Sequence, residues 1–174
     1  MTAGEAGRAP GPEGLVLRPA GRADAARLHE IREAAFAPVF ASFRKVLGDE
    51  LYELAQAGDD RAQGALLDSL LAAADTWEVH VAELDGEIVG FLALRMDRAS
   101  RVGEIGLNAV DPVHAGRGIG TAMYEWALAR MRRAGMRAAT VGTGGDPGHA
   151  PARRAYEKVG FTVGIPSIWL IRKL

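Results

Sequence analysis

The sequence predicts a mixed α/β fold of the α+β type, in which a mostly antiparallel central sheet of about six to seven strands is flanked by helices. Two observations carry this prediction. Apolar and polar residues alternate from residue 77 to residue 81, a more continuous apolar run follows at residues 88–96, and polar turns separate the runs up to residue 110, which is typical of adjacent antiparallel strands. After residue 110, helical periodicity and short apolar runs alternate along the chain, which indicates helices packed against the sheet.

The length and composition are those of one globular domain. The 174 residues are 48% hydrophobic and 25% charged, with a formal net charge of −1, so we expect no broad positive field for nucleic acid. No apolar run reaches the roughly 18 residues that a membrane span needs, so no membrane partner is expected. Cysteine is absent, which excludes disulfides, cysteine zinc sites and a cysteine nucleophile, and agrees with a cytoplasmic location.

The N-terminal half is predicted to be mainly helical. Residues 1–14 contain four glycines, two prolines and no apolar run, which predicts a disordered tail ahead of a single domain over residues 15–174. A short strand is expected at residues 15–18. Apolar residues at helical spacing then predict helical pieces over residues 24–36, 38–47, 50–57 and 61–74.

The C-terminal half is predicted to hold most of the sheet. A turn at Asp85-Gly86 joins two apolar runs into a hairpin, and Pro166 divides the last segment into two further strands. The elements expected here are the hairpin over 77–96, a strand at 104–110, a helix at 121–134, a strand at 138–141, a helix at 151–159 and two strands within 162–174.

A glycine-rich loop follows the strand at 104–110. Glycine occurs 22 times in the chain, and Gly116, Gly118 and Gly120 lie between the Asp111-Pro112 turn and the start of a helix. Glycine lets successive backbone N–H groups point at a ligand without a Cβ in the way, and the helix adds the positive end of its dipole. The loop therefore predicts an anion cradle that fits a pyrophosphate.

Three kinds of phosphate loop have this general form. A dinucleotide fingerprint needs a small residue where this chain has Met123 or Thr121, and a P-loop needs a lysine that is missing here. The stretch Ala115-Gly-Arg-Gly-Ile-Gly120 resembles the acetyl-CoA loop of the GNAT N-acyltransferases, Gln/Arg-x-x-Gly-x-Gly/Ala, with Ala115 at the Gln/Arg position.

A second motif supports the same resemblance. The stretch from His149 to Phe161 is similar to the GNAT pattern Asn-x-x-Ala-x-x-x-Tyr-x-x-x-Gly-Phe, with Ala152, Tyr156 and Gly160 at the expected spacing and His149 at the Asn position. Both motifs occur in the family's order with a strand between them. The resemblance covers about residues 77–174, and residues 24–74 match only as a variable region.

The resemblance implies a sheet that splays between its fourth and fifth strands to admit acetyl-CoA as co-substrate, with no metal. The glycine loop would bind the pyrophosphate through its backbone, and the preceding strand would lie beside the pantetheine arm with a backbone N–H for the thioester carbonyl. The cofactor-binding residues implied are Asn108, Ala109, Val110, Gly116, Arg117, Gly118, Gly120, Thr121, His149 and Ala152.

Tyr156 and Glu104 are the catalytic candidates. By resemblance, Tyr156 is the acid that protonates the departing CoA thiolate. Glu104 is a candidate base acting through water: it lies four residues before Asn108, so on a regular strand both would share a face. Because cysteine is absent, direct transfer in a ternary complex is favoured. Three structural interpretations also remain open: Tyr156 is a core aromatic, Glu104 is a solvated strand-end residue, and His149 is a polar loop residue.

The sequence therefore favours an N-acetyltransferase that moves acetyl from acetyl-CoA to a primary amine. The acceptor, a small molecule or peptide amine, is not readable from the helical segment at 24–74, and the family suggests a homodimer. Two alternatives remain open: a catalytically degenerate acyl-CoA sensor, which Ala115 would suit, and a nucleotide-binding regulatory domain that uses the same cradle.

Overall fold

A computed structural model describes residues 7–8 and 11–174. Most of the predicted tail, residues 1–6 and 9–10, lies outside these described residues, so its disorder stays a prediction. Where the chain enters the described region, the pair Gly7–Arg8 runs antiparallel to residues 16 and 17 as a two-residue edge strand.

The central sheet is mixed and mostly antiparallel, as predicted. Its six strands lie side by side in chain order, every neighbouring pair is antiparallel except the last, and the last pair is parallel. The strands are β1 (Gly7–Arg8), β2 (Leu15–Pro19), β3 (Glu78–Leu84), β4 (Glu87–Asp97), β5 (Val102–Val110) and β6 (Ala138–Val141).

Four helices connect and cover the strands: α1 (Ala25–Ala55), α2 (Ala57–Ala72), α3 (Ile119–Arg133) and α4 (Ala150–Lys158). The three predicted pieces over residues 24–57 join into α1, which is kinked where Gly48 takes the positive φ of 74°. In the part of the chain that the structure describes, none of the helices combines the length and apolarity that a bilayer span requires.

The sheet separates two hydrophobic cores. On one face, α3 and α4 pack through Met123, Trp126 and Tyr156 against Leu92 and Ile105. On the other face, α1 and α2 cover a second cluster. Its buried members are Leu28, Ile31, Leu67, Leu70, Val79, Val81, Phe91, Ala93 and Ala109. Each face of the sheet is therefore built from a different pair of helices.

A β-bulge in β5 changes which residues share a face. Ile105 lies opposite Leu94 and Asn108 opposite Leu92, so β5 holds one residue more than β4 across the same interval. Directly opposed residues share a face, so Asn108 lies on the face of Ile105, and Glu104 lies on the other. The prediction that Glu104 and Asn108 share a face is wrong, because it assumed unbroken alternation.

The two strands predicted within residues 162–174 are absent from the structure. The whole segment, which the structure describes, is exposed and forms neither strand nor helix. A β-strand requires a paired neighbour for its backbone groups, and this segment lies along none of the six strands. The prediction of two strands here is wrong, because an apolar pattern does not by itself supply the backbone pairing that a strand needs.

His80 is a buried titratable residue on β3. Its ring packs at 4.7 Å from the ring of Trp126, and its Nδ1 has no hydrogen-bond partner among the described residues. Burial, assisted by the charge of Arg130, lowers the pKa of His80 from 6.5 to about 4. The folded protein therefore holds this imidazole neutral.

This shift predicts a loss of stability in mild acid. The unfolded chain takes up the His80 proton at higher pH than the folded chain. Stability is therefore complete above pH 6.5 and declines as pH falls toward 4. The loss due to His80 is about 3 kcal/mol, at roughly 1.36 kcal/mol per pKa unit. Urea unfolding from pH 7 to pH 4 measures it. The variant His80→Leu should lose less stability over this range, and an unchanged slope would contradict the assignment.

Candidate active site

The sheet opens between β5 and β6. The two strands pair in parallel up to Ile105 and Val141, where β6 ends, while β5 continues to Val110. Residues 106–110 therefore present one backbone edge that β6 does not cover. The first predicted strand is β2, so β5 and β6 are the fourth and fifth strands of the predicted sheet. This opening is therefore the predicted splay.

The glycine loop lies at the end of this opening, between β5 and α3. Gly116 has a φ of 77° and Gly118 a φ of 80°, and added Cβ atoms there would meet open space. The first intrahelical bond of α3 runs from Ala122 N to Gly118 O at 3.0 Å, so the N–H groups of residues 119–121 have no acceptor within the helix. These free donors and the helix dipole fit a pyrophosphate.

Asp111 fastens the loop to the rest of the domain. Its carboxylate accepts from Val113 N at 3.0 Å and contacts Arg27 of α1, and its backbone N–H donates to Val89 O at 2.9 Å. Burial alone would raise the pKa of Asp111, but the bonds from Val113 and Arg27 outweigh it and lower the pKa. A charged, buried carboxylate thus sets where the cradle begins.

Asn108, Tyr124 and Tyr156 form a hydrogen-bonded cluster beside the opening. Tyr124 Oη donates to Asn108 Oδ1 at 2.8 Å, and Asn108 Nδ2 donates to Gly106 O at 2.9 Å and to Tyr156 Oη at 3.1 Å. The two tyrosine rings lie 4.6 Å apart. The bond from Tyr124 fixes the Asn108 amide so that its N–H₂ group faces Tyr156.

This orientation has a chemical consequence for Tyr156. Its hydroxyl oxygen accepts a bond from Asn108 Nδ2 at 3.1 Å, while its own proton is donated to Asn108 Oδ1 over a longer contact of 3.4 Å, which a better acceptor in the opening can replace. Burial raises the pKa of Tyr124 well above its ordinary value, as does the charge of Tyr156, so Tyr124 stays a protonated donor near neutral pH. Sequence analysis missed Tyr124, because helical periodicity marks it only as a residue of α3.

Glu104 lies on the opposite face of the sheet from this cluster. Its carboxylate pairs with Arg95 of β4, whose guanidinium carbon lies 5.2 Å from the ring centre of Trp77. The bulge therefore places Glu104 on the side of α1 and α2.

His149 occupies the N-cap position of α4, and its side chain pairs with Asp146 through Nδ1. Burial alone would raise the pKa of Asp146, but bonds from His149, Ser42 and Gly148 lower it. The imidazole ring lies 5.8 Å from the ring of Phe43 in α1. His149 thus joins the glycine-containing loop before α4 to the helices on the other face.

Comparisons with known proteins agree with this geometry. A profile described as the acetyltransferase (GNAT) family matches residues 40–161.

The chain belongs to the GNAT acetyltransferase family.

A curated relative within this family is the mycothiol acetyltransferase of Sanguibacter keddieii. It is 36% identical over 121 residues, which is 63% of this chain and 38% of that protein. A Brucella melitensis GNAT acetyltransferase solved with acetyl-CoA is 27% identical, with a TM-score of 0.60 over 86% of this chain and 83% of its own. A GNAT-family structure from Desulfovibrio desulfuricans shares the fold, with 21% identity and a TM-score of 0.65 over 87% of each chain.

The structure places the predicted GNAT cofactor residues along one path. The β5 residues Asn108, Ala109 and Val110 flank the opening, and Gly116, Arg117, Gly118, Gly120 and Thr121 form the loop and the first turn of α3. Ala152 packs with Tyr156 in the core beneath α4. Their contacts with the cofactor stay a prediction. Among the described residues, no three His, Asp or Glu side chains converge on a point where a metal ion could sit.

A cavity of about 340 Å³ lies on the α1–α2 face of this GNAT domain. Phe36, Phe40 and Phe43 of α1 form its apolar wall, and Asp59 and Asp60 of α2 supply acidic groups. The cavity is bordered by His149 and thus reaches the start of α4, while Phe36 packs against the cluster that contains Ala109 of β5. The cavity therefore lies on the same face of the sheet as Ala109, next to the start of α4.

The substitution Gly118→Val tests the cradle. Valine is strained at a φ of 80° and places a branched side chain where the pyrophosphate approaches, so we expect acetyl-CoA affinity to fall by at least about tenfold. Isothermal titration calorimetry measures this affinity.

The matched control is Gly135→Val at the other end of α3. Gly135 has a φ of 82° and open space around it, so this change brings the same backbone strain without touching the loop. Both variants should lose about 1–2 kcal/mol of stability. Equal acetyl-CoA affinity in the two variants would mean that the pyrophosphate binds elsewhere.

Proposed function

We propose that this GNAT protein transfers acetyl directly from acetyl-CoA to a primary amine within a ternary complex. The observation that carries the proposal is the position of Tyr156, whose Oη lies 3.1 Å from Asn108 Nδ2 where β5 and β6 separate. Acetyl-CoA supplies an activated acyl group and a thiolate that must leave. A hydroxyl beside the opening whose only donation is a long contact of 3.4 Å to Asn108 Oδ1 suits protonation of that thiolate.

The backbone of β5 has a separate part in the proposed reaction. Residues 108–110 lie along the edge that β6 leaves uncovered, so an N–H there can donate to the thioester carbonyl. The glycine cradle and the free N–H groups at the start of α3 hold the pyrophosphate. These contacts come from backbone rather than side chains, so they tolerate Ala115 at the position where the family has Gln or Arg.

The proposed acceptor approaches from the α1–α2 face. The cavity there combines phenylalanine rings with the carboxylates of Asp59 and Asp60, and Asp60 is held by Tyr52 Oη and Gln56 Nε2, both at 2.8 Å. Neutral donors leave the negative charge of Asp60 without a paired cation. This combination favours a protonated amine that carries an apolar or aromatic part.

A base is required because such an amine arrives protonated. With a pKa of ~10.4, only about one molecule in 2,500 is neutral at pH 7, which corresponds to about 4.6 kcal/mol. Glu104 is the proposed base, acting through water, since the bulge places it on the same side of the sheet as the acceptor cavity. The acid Tyr156 lies on the other side, so the two proton-transfer groups lie on opposite faces of the sheet, with Glu104 opposite Thr140 at the closed end of the opening.

Mass spectrometry of acetyl-CoA reactions with a panel of amines tests the activity. The panel includes hydrophobic and aromatic primary amines, polyamines, peptide N-termini and the deacetylated form of mycothiol, because one relative is a mycothiol acetyltransferase. We expect an N-acetylated product from at least one cationic, partly apolar amine. The variant Tyr156→Phe should lower kcat by about 10²–10⁴-fold while acetyl-CoA affinity stays within about twofold. Acetyl-CoA binding without product from any amine would favour the sensor alternative.

The pair Glu104→Gln and His149→Gln distinguishes the proposed base from its nearest rival. His149 borders the acceptor cavity and is oriented by Asp146, so it is the other group placed to take a proton. We expect Glu104→Gln to lower kcat/KM by about 10²-fold. His149→Gln should leave kcat/KM within about threefold of the natural chain. The reverse result would transfer the role to His149.

A further inference from the structure

The side chain of Asn108 is an amide whose hydrogen-bonding groups are all engaged. Its Nδ2 donates to Gly106 O at 2.9 Å and to Tyr156 Oη at 3.1 Å. Its Oδ1 accepts from Tyr124 Oη at 2.8 Å and, over a longer contact of 3.4 Å, from Tyr156 Oη. An amide offers two N–H donors and two lone pairs on its oxygen, so all four are used. A flipped amide would set its oxygen against the carbonyl oxygen of Gly106, so the orientation is fixed.

Two tyrosine hydroxyls therefore share one acceptor oxygen, and they share it unequally. The contact from Tyr124 Oη to Asn108 Oδ1 has the length of an ordinary O–H···O bond, and the contact from Tyr156 Oη is longer than the usual range. Tyr124 is buried, and burial raises its pKa well above its ordinary value. Tyr124 is therefore the lasting donor to Oδ1, and Tyr156 is the weak one.

Helix α3 holds the ring of Tyr124 in this position. Tyr124 lies one helical turn after Gly120, and a Cβ added at Gly120 would lie 3.9 Å from Tyr124 Oη. On its other side the ring lies 4.6 Å from the ring of Tyr156. The ring thus packs between the first turn of α3 and Tyr156, with its hydroxyl directed at Asn108.

We propose that Tyr124 is a positioning residue that keeps the proton of Tyr156 available for the departing CoA thiolate. By occupying Asn108 Oδ1, Tyr124 denies Tyr156 a short bond to that oxygen, while Asn108 Nδ2 still holds Tyr156 Oη in place. The inference rests on the proposed function, in which Tyr156 is the acid.

The same arrangement serves both states of Tyr156 during the proton transfer. As the carbon–sulfur bond of the thioester breaks, its electron pair goes to sulfur, and Tyr156 gives its hydroxyl proton to that sulfur. A neutral thiol and a Tyr156 phenolate result, and the phenolate regains a proton from solvent once the thiol has left. Until then, Asn108 Nδ2 donates to the phenolate oxygen. The bond from Tyr124 to Oδ1 polarises the amide and strengthens this donation.

The substitution Tyr124→Phe tests the proposal, since it removes one oxygen and keeps the ring. Asn108 Oδ1 then loses its short bond, and Tyr156 becomes its remaining hydroxyl donor, so the acidic proton is held more tightly. We expect the single-turnover rate of acetyl transfer to phenethylamine to fall about fivefold to tenfold, with acetyl-CoA affinity within about twofold. Rapid-quench mass spectrometry measures the rate, and calorimetry measures the affinity.

A double variant separates positioning from a merely structural role. With Tyr156→Phe already in place there is no proton to position, so adding Tyr124→Phe should lower the rate by less than about twofold. The control Trp126→Phe trims another buried ring of α3, one that packs against His80, and should keep the natural rate within about twofold. A natural rate in Tyr124→Phe, or the same loss with and without the Tyr156 hydroxyl, would overturn the proposal.

A measurement without turnover keeps this inference distinct from the proposed function. Asn108 is the only asparagine in the chain, so asparagine labelled with ¹³C and ¹⁵N gives the NMR signal of a single side-chain amide. Tyr156→Phe should shift the Asn108 carbonyl signal further in the Tyr124→Phe chain than in the natural chain, because only there does Tyr156 hold Oδ1 tightly. Equal shifts would overturn the inference. The expected shifts in a chain that transfers no acetyl would overturn the proposed function instead.

Discussion

The single extra residue in β5 is the constraint on which the rest of the site depends. Without the bulge, Asn108 would lie on the same face as Glu104 and could not reach Tyr156 and Tyr124. With it, the strand turns its amide side chain toward α3 and α4 while its carboxylate faces α1 and α2. One local irregularity therefore assigns the proposed acid and the proposed base to opposite faces of the sheet.

The glycine loop depends on the same strand for its position. It begins where β5 ends, and the buried carboxylate of Asp111 holds that point against Arg27 and Val89. The positive φ values of Gly116 and Gly118 then turn the backbone into the start of α3, whose buried residues pack into the core. The cradle is thus a glycine-rich loop that is held at both ends. The end of β5 and the ion pair between Asp111 and Arg27 hold one end, and the buried face of α3 holds the other.

Much of this arrangement could be predicted from the sequence, because its signals are local. Apolar periodicity and turn residues predicted the order of most elements, and the motifs around Gly118 and Tyr156 carried the family resemblance that implied the opening. The bulge could not be predicted, since no residue in β5 marks it and alternation alone favours a regular strand. Tyr124 was missed because its importance arises from a contact between distant elements. The last two strands were expected from apolar residues, but an apolar pattern does not fix backbone pairing, and the segment lies along none of the six strands.

The two faces of the sheet are held by different kinds of contact, and this difference suits their proposed tasks. Around Tyr156, the rings of Tyr124 and Tyr156 lie 4.6 Å apart, and both hydroxyls are hydrogen-bonded to Asn108. The short helix α4 is held by Arg153, which donates to Asp146 O at 2.8 Å. The acceptor side is built from α2 and from α1, which bends at Gly48 and whose phenylalanine side chains, the apolar wall of the cavity, make no hydrogen bonds. Apolar walls can be resized by substitution without leaving a buried polar group unpaired. Acceptor choice can therefore change on one face while the cradle and the acid on the other stay as they are.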